Sequence, residues 1–251
     1  LQGFKNHVIT ARQLKWDLQY FLLNEPYIQH IENPKDRKIA KYFFQQFKEH
    51  VCPILPELRK QTIHGDANEW NTLSQNNQIS GLIDFGDVCY SQLINELAIA
   101  LAYALMGKNK PINWALPVIS AYNKILPLEK KETDILFWLI GARLCTSVCN
   151  SAFEKNQRPE NSYIQISEKP AWELLRKWVT INPVFAKNEF GLACGFEKPQ
   201  EKTVELLTNE RFKSVSAIFS ISYKNPIYMN SAVFQYMFDK YGNSYLDAYN
   251  N

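Results

Sequence analysis

Between Thr62 and Asp87 the chain reads TIHGDANEWNTLSQNNQISGLIDFGD, and its most reactive side chains gather there. His64-Gly65-Asp66 is followed by Asn71, and Asp84 lies within Ile83-Asp84-Phe85-Gly86-Asp87. Two carboxylates and one amide in this order suit phosphoryl transfer. One acid orients and deprotonates a hydroxyl, while the amide and the other acid hold magnesium against phosphates. Oxygen donors suit a hard cation of that kind.

Those side chains must be brought together by local structure. Thr72–Gln75 and Gln78–Ile83 are short runs flanking Asn76-Asn77. Asparagine tolerates left-handed dihedrals, so Asn-Asn predicts a hairpin turn. Pairing the arms across it sets Asn71 opposite Leu82, with Asp84 just past the same open end. Asp66, in the loop before, can address the same place.

The pattern resembles a known family. His64-Gly65-Asp66 with Asn71 is similar to the HxDxxxxN catalytic loop of aminoglycoside phosphotransferase and choline kinase-like enzymes, and Ile83–Asp87 to their metal-binding segment. The run GLIDFGDVCYSQLINELAIALAYALM, from Gly81 to Met106, is most similar to the hydroxylysine kinase branch, as is Trp16-Asp17-Leu18 ahead of the loop. The resemblance implies a kinase-like C-terminal lobe with Asp66 as catalytic base and Asn71 and Asp84 as Mg2+ ligands. His64 would be a structural residue of the catalytic loop. ATP or GTP would be the donor, and hydroxylysine or a similar amino alcohol the acceptor. Asp87 is read either as a contact for a substrate ammonium or second metal, or as a turn residue.

The chain has 251 residues, enough for one large or two smaller domains, and 46% apolar content can build a core. A formal net charge of +3 gives no sign of nucleic acid or membrane binding. Cys52, Cys89, Cys145, Cys149 and Cys194 are an odd, scattered set and not a disulfide framework. His7, His30, His50 and His64 show no metal-ligand spacing. Apolar runs such as Leu97 to Met106 are too short to span a bilayer, and a cytoplasmic location fits.

Periodicity predicts a helix from Thr10, as N-cap, to Leu23. Asn33-Pro34 announces a second, with Ile39, Phe43, Phe47 and Val51 as its buried stripe, ending at Pro53 and Pro56. Ile94 to Met106 is apolar almost all round and predicts a buried helix, with Glu96 complementing its dipole. Further helices are expected at 113–126, 132–153 and 167–179. Arg143, alone in an apolar field, either pairs with an acid or points to the rim.

The expected class is therefore α+β: a mainly helical kinase-like lobe with a small hairpin, then a linker and a terminal hairpin. Residues 1–181 form the lobe, 182–204 the linker, because Pro183, Gly191, Gly195 and Pro199 break periodicity there. In residues 205–251, Tyr223-Lys224-Asn225-Pro226-Ile227 leads to a strand through Ala232–Phe238, an Asp239–Gly242 turn and a strand at Ser244–Ala248. That end resembles the opening of class-III pyridoxal-phosphate aminotransferases, whose cofactor lysine would lie far downstream. No G-x-G-x-x-G occurs among the nine glycines, so the nucleotide lobe is expected to be absent. Both ends look cut. The chain is read as part of a larger fusion of kinase and aminotransferase, inactive alone, its partners being nucleotide, amino alcohol and the parent's other domains. The alternatives are a non-catalytic kinase-like scaffold, or a parent whose main activity is the aminotransferase with its pyridoxal phosphate.

Overall fold

The computed structural model describes residues 13–158, 165–198, 200, 202–216 and 226–248. Thr10, the predicted first cap, lies outside them. The chain instead enters a 3-10 helix at Leu18–His30 capped by Asp17, whose Oδ1 accepts from Gln19 N at 3.1 Å. A short carboxylate competes for backbone N–H groups and favours the cap over the helix interior, so the helix begins later than the apolar spacing predicts. The same Oδ1 accepts from Ser91 Oγ at 2.6 Å, which ties this entry to the strand leading out of the candidate site.

Helix α1, Pro34–Gln46, forms as expected: Asn33 Oδ1 accepts from Lys35 N at 2.9 Å and Pro34 fills the first turn. It widens into a π turn at Phe47–Val51, and Phe43, Phe44, Phe47 and Val51 are buried. Strand β1, Lys60–Ile63, then leads into the His64 loop. Strands β2, Thr72–Gln75, and β3, Gln78–Leu82, make the hairpin, with Asn76 and Asn77 at φ 52° and 58°. A bulge between Leu73 and Ser74 shifts the register, so Thr72, not Asn71, faces Leu82. Asn71 instead accepts from Ile83 N at 2.9 Å, one residue closer to Asp84 than the unbulged pairing predicts.

Strand β4, Cys89–Gln92, pairs antiparallel with β1, setting Ile63 against Cys89. It runs directly into α2, Leu93–Ala104, which is buried over most of its surface. Helix α3 spans Pro111–Ile125 and α4 Lys130–Gln157, each beginning two residues before the predicted start. Pro111 supplies the first turn of α3. A reciprocal cap between Glu129 and Glu132 starts α4. By length and composition α4 could cross a membrane, unlike the shorter runs read from sequence, yet 94% of its apolar window is buried in the fold. It is the central post, packed by the 3-10 helix, α2, α5 (Gln165–Trp178) and α6 (Pro183–Ala193).

Helix α6 corrects the expected linker over 182–204. Asn182 Oδ1 accepts from Val184 N and Phe185 N, and Pro183 starts the helix rather than breaking it. Ala186 and Phe190 are buried. Helix α7, Val204–Ser214, lies on the surface.

The terminal strand predicted over 232–238 is two strands. Phe234, at φ 51°, turns β5 (Met229–Val233) into β6 (Tyr236–Asp239), and β7 (Ser244–Leu246) completes a three-stranded antiparallel sheet. Aromatic side chains rarely adopt positive φ, so the types gave no warning of that turn. Tyr223, Lys224 and Asn225, which precede the sheet, lie outside the described residues. The sheet is not a separate body. Val233 and Phe238 join the helical core, and Asn182 Nδ2 donates to the Asp239 carbonyl at 2.8 Å.

Candidate active site

The two motifs touch through Gly65. Its φ of +80° is left-handed, and a Cβ there would lie 2.4 Å from the Asp87 carbonyl oxygen. Only glycine meets both conditions without displacement. From the other side, Gly65 N donates to Glu96 Oε2 at 3.0 Å. Glu96 was expected to serve the dipole of α2; the structure makes it a clamp on the loop. Burial pushes its carboxyl above the usual range, and the backbone bonds from Gly65 and His64 oppose that rise.

His64 is buried and bridges the motifs. Asp66 N can only donate, and it donates to Nδ1 at 3.3 Å, so Nε2 carries the proton given to the Ile83 carbonyl at 2.9 Å. Its ring meets Phe85 edge-on.

Asp66 gathers four donors. Oδ2 accepts from Asn68 Nδ2 and Asn71 Nδ2, each at 3.0 Å. Oδ1 accepts from Arg143 Nη2 at 2.9 Å and Tyr103 OH at 3.1 Å. Asn68 Oδ1 in turn accepts from Trp70 N and Asn71 N, which shapes the loop that delivers Asn71. Asn71 Nδ2 also donates to the Asp66 carbonyl at 3.0 Å. With its nitrogen committed twice to Asp66, the atom Asn71 has for a cation is its oxygen.

Asp84 is exposed at φ 60°, and its Oδ1 accepts from Gly86 N at 3.3 Å, opening a short 3-10 turn through Asp87. An aspartate tolerates this left-handed backbone better than most residues. An amide oxygen and an exposed carboxylate fit magnesium, which takes one or two protein ligands and fills its shell with water and phosphate oxygens. Among the described residues no three His, Cys, Asp or Glu side chains form a metal cluster. Asp87 is half-buried, packs its carbonyl over Gly65 and adds negative potential at Arg143.

Arg143 and Tyr103 were not identified as site residues from sequence. The sequence left open whether Arg143 pairs with an acid, and it does, with Asp66. Its guanidinium lies 5.1 Å from the Trp16 ring and 5.2 Å from the Tyr103 ring. Burial alone would lower its pKa, but Tyr103 and Asp66 more than offset this and keep it cationic. The Tyr103 phenol is raised, first by burial and then by the Asp66 charge. The one signal available was a lone charge on an apolar helix, because such a charge needs a partner.

Comparison with known proteins matches residues 8–132 to the phosphotransferase enzyme family, APH. The chain is 31% identical over 178 residues to hydroxylysine kinase of Danio rerio, covering 68% of this chain and 50% of that protein. The matches support a kinase-like phosphotransferase family for this chain. The hydroxylysine kinase of Bos taurus is 30% identical over 172 residues, covering 64% of this chain and 46% of its own length. The homoserine kinase of Gluconobacter oxydans (strain 621H) is 32% identical over 90 residues, 35% of this chain and 28% of that protein. The chain spans about half the length of the hydroxylysine kinases it matches. The phosphotransferase-family region contains Asp66, Asn71, Asp84 and Tyr103 and stops before Arg143.

Proposed function

We propose that this chain carries the catalytic loop and metal-binding segment of a small-molecule kinase. It would move the terminal phosphoryl group of ATP or GTP to the hydroxyl of a small amino alcohol, with hydroxylysine the first candidate. The observation that carries the reading is the pair of hydrogen bonds that Asn71 Nδ2 donates to the carbonyl and carboxylate of Asp66. It fixes a base beside an amide whose nitrogen is committed to that base, leaving the amide oxygen as its cation ligand. The similarity to hydroxylysine and homoserine kinases supports the same reading.

In this proposal Asp66 accepts the acceptor's proton, and His64 holds the catalytic loop against Ile83. Asn71 and Asp84 hold magnesium, which when bound neutralises charge on the phosphates. Asp87 shapes the turn, with contact to a substrate ammonium as its further role. The proposal includes a nucleotide lobe and a pyridoxal-phosphate aminotransferase elsewhere in the parent protein, so this chain alone would be inactive. It treats residues 1–181 as the kinase-like lobe and 205–251 as the aminotransferase start.

The test is Asp66→Asn in the full-length protein, assayed with hydroxylysine and Mg-GTP or Mg-ATP. An amide cannot take the proton, so turnover should fall at least about 100-fold while the protein still melts cooperatively, at a lower temperature because buried Arg143 loses its charged partner. Retained turnover would sink the assignment.

A further inference from the structure

Asp66 is more fully engaged than a working base can remain. A carboxylate has about four lone-pair positions, and its two oxygens already accept from Asn68, Asn71, Tyr103 and Arg143. An incoming hydroxyl must reach hydrogen-bond distance of that carboxylate, so one donor has to leave.

Three of the four are held from behind. Asn68 is fixed by Trp70 N and Asn71 N, and Asn71 by the Asp66 carbonyl and its tie to Ile83. Arg143 is 3% exposed on the central helix, and moving it would strand two charges. Tyr103 differs. It is half-buried, and its 3.1 Å contact is the longest of the four.

The Tyr103 oxygen also sits in an informative place. It donates to Asp66 Oδ1 and accepts from Arg143 Nη2 at 2.6 Å. A hydroxyl about to become a nucleophile needs that pair of contacts, a base at its hydrogen and a cation at its oxygen. Among the described residues Arg143 Nε and Nη1 have no hydrogen-bond partner, so ring packing and the Asp66–Tyr103 contacts set its orientation.

We propose that the Tyr103 hydroxyl is a placeholder for the acceptor hydroxyl, displaced when substrate enters, and that Arg143 is a positioning residue for Asp66 and the acceptor oxygen. This rests on the kinase reading above. In the step itself the acceptor O–H bond breaks toward Asp66, its oxygen bonds to the terminal phosphorus, and the nucleoside diphosphate leaves with the electron pair.

The test is Tyr103→Phe in the full-length protein, with hydroxylysine as acceptor and Asp66→Asn alongside. Removing the competitor should lower the acceptor KM by about 3- to 10-fold, the worth of one hydrogen bond, without a matching fall in nucleotide KM. An acceptor KM that is unchanged or raised overturns the placeholder. In the unsubstituted protein carrying ring-labelled tyrosine, hydroxylysine should shift the Tyr103 carbon resonance, and a resonance that stays put overturns it as well. Turnover by Asp66→Asn is a different failure, because it removes the kinase reading itself.

Discussion

Replacing Gly65 with alanine tests whether the two motifs are in contact. The new Cβ would stand 2.4 Å from the Asp87 carbonyl oxygen, under the 3.0 Å that real Cβ atoms respect, and the obstacle is backbone rather than a flexible side chain. The φ of +80° adds left-handed strain of about 1–2 kcal/mol. Overpacking of this kind costs about 1–3 kcal/mol, so the total is about 2–5 kcal/mol. For a chain of this size that is a fall of about 4–20 °C in Tm. Gly107→Ala is the internal control: its φ is +74°, and nothing lies within 4 Å of the added Cβ. It should cost only the strain of about 1–2 kcal/mol. Thermal and urea melts of both variants give the answer. Equal losses would mean that the Gly65–Asp87 approach is not present, and that the His64–Asp66 loop is not pressed against the Asp84–Asp87 turn.

Two other predictions concern carboxyl groups. Burial tends to raise the Asp239 pKa, but hydrogen bonds from Asn243, Tyr245 and Tyr241 hold it below the usual carboxylate range. A depressed folded pKa gives stability that is present above the ordinary aspartate range and lost as pH falls through the folded value. Acid melts of Asp239→Asn should therefore show a weaker loss between about pH 4 and 2 than the parent, and parallel curves would refute this. The Glu96 carboxyl is raised, so its sign is opposite: stability drops as pH rises above the ordinary glutamate range. Glu96→Gln should flatten that drop in melts from about pH 4 to 8 and still accept from Gly65 N, whereas an unchanged slope would refute the burial argument.

How far the sequence disclosed this arrangement depended on whether a residue type has one local habit. Asn76-Asn77 does, because two successive positive φ values favour asparagine, so the hairpin was legible. Its register was not, since the bulge at Leu73–Ser74 is a backbone event that no side chain announces. Asn33-Pro34 and Asn182-Pro183 are the same helix start, yet the second was read as a break because glycines at 191 and 195 obscured the period. The candidate site residues of the loop, hairpin and turn were legible because they are close in sequence and bear polar groups. Tyr103 and Arg143 come from two buried helices, and only tertiary packing sets them on Asp66.

The most direct measurement of the central claim is magnesium-dependent nucleotide binding by the full-length protein, titrated with GTP and with ATP, beside Asp84→Ala. The account predicts binding that needs magnesium and weakens at least about 10-fold when the carboxylate is removed, the scale on which losing a metal-site interaction is felt. Equal, magnesium-dependent binding by the folded Asp84→Ala protein would contradict it, because the cation would then be held by residues other than those on the hairpin and its following turn.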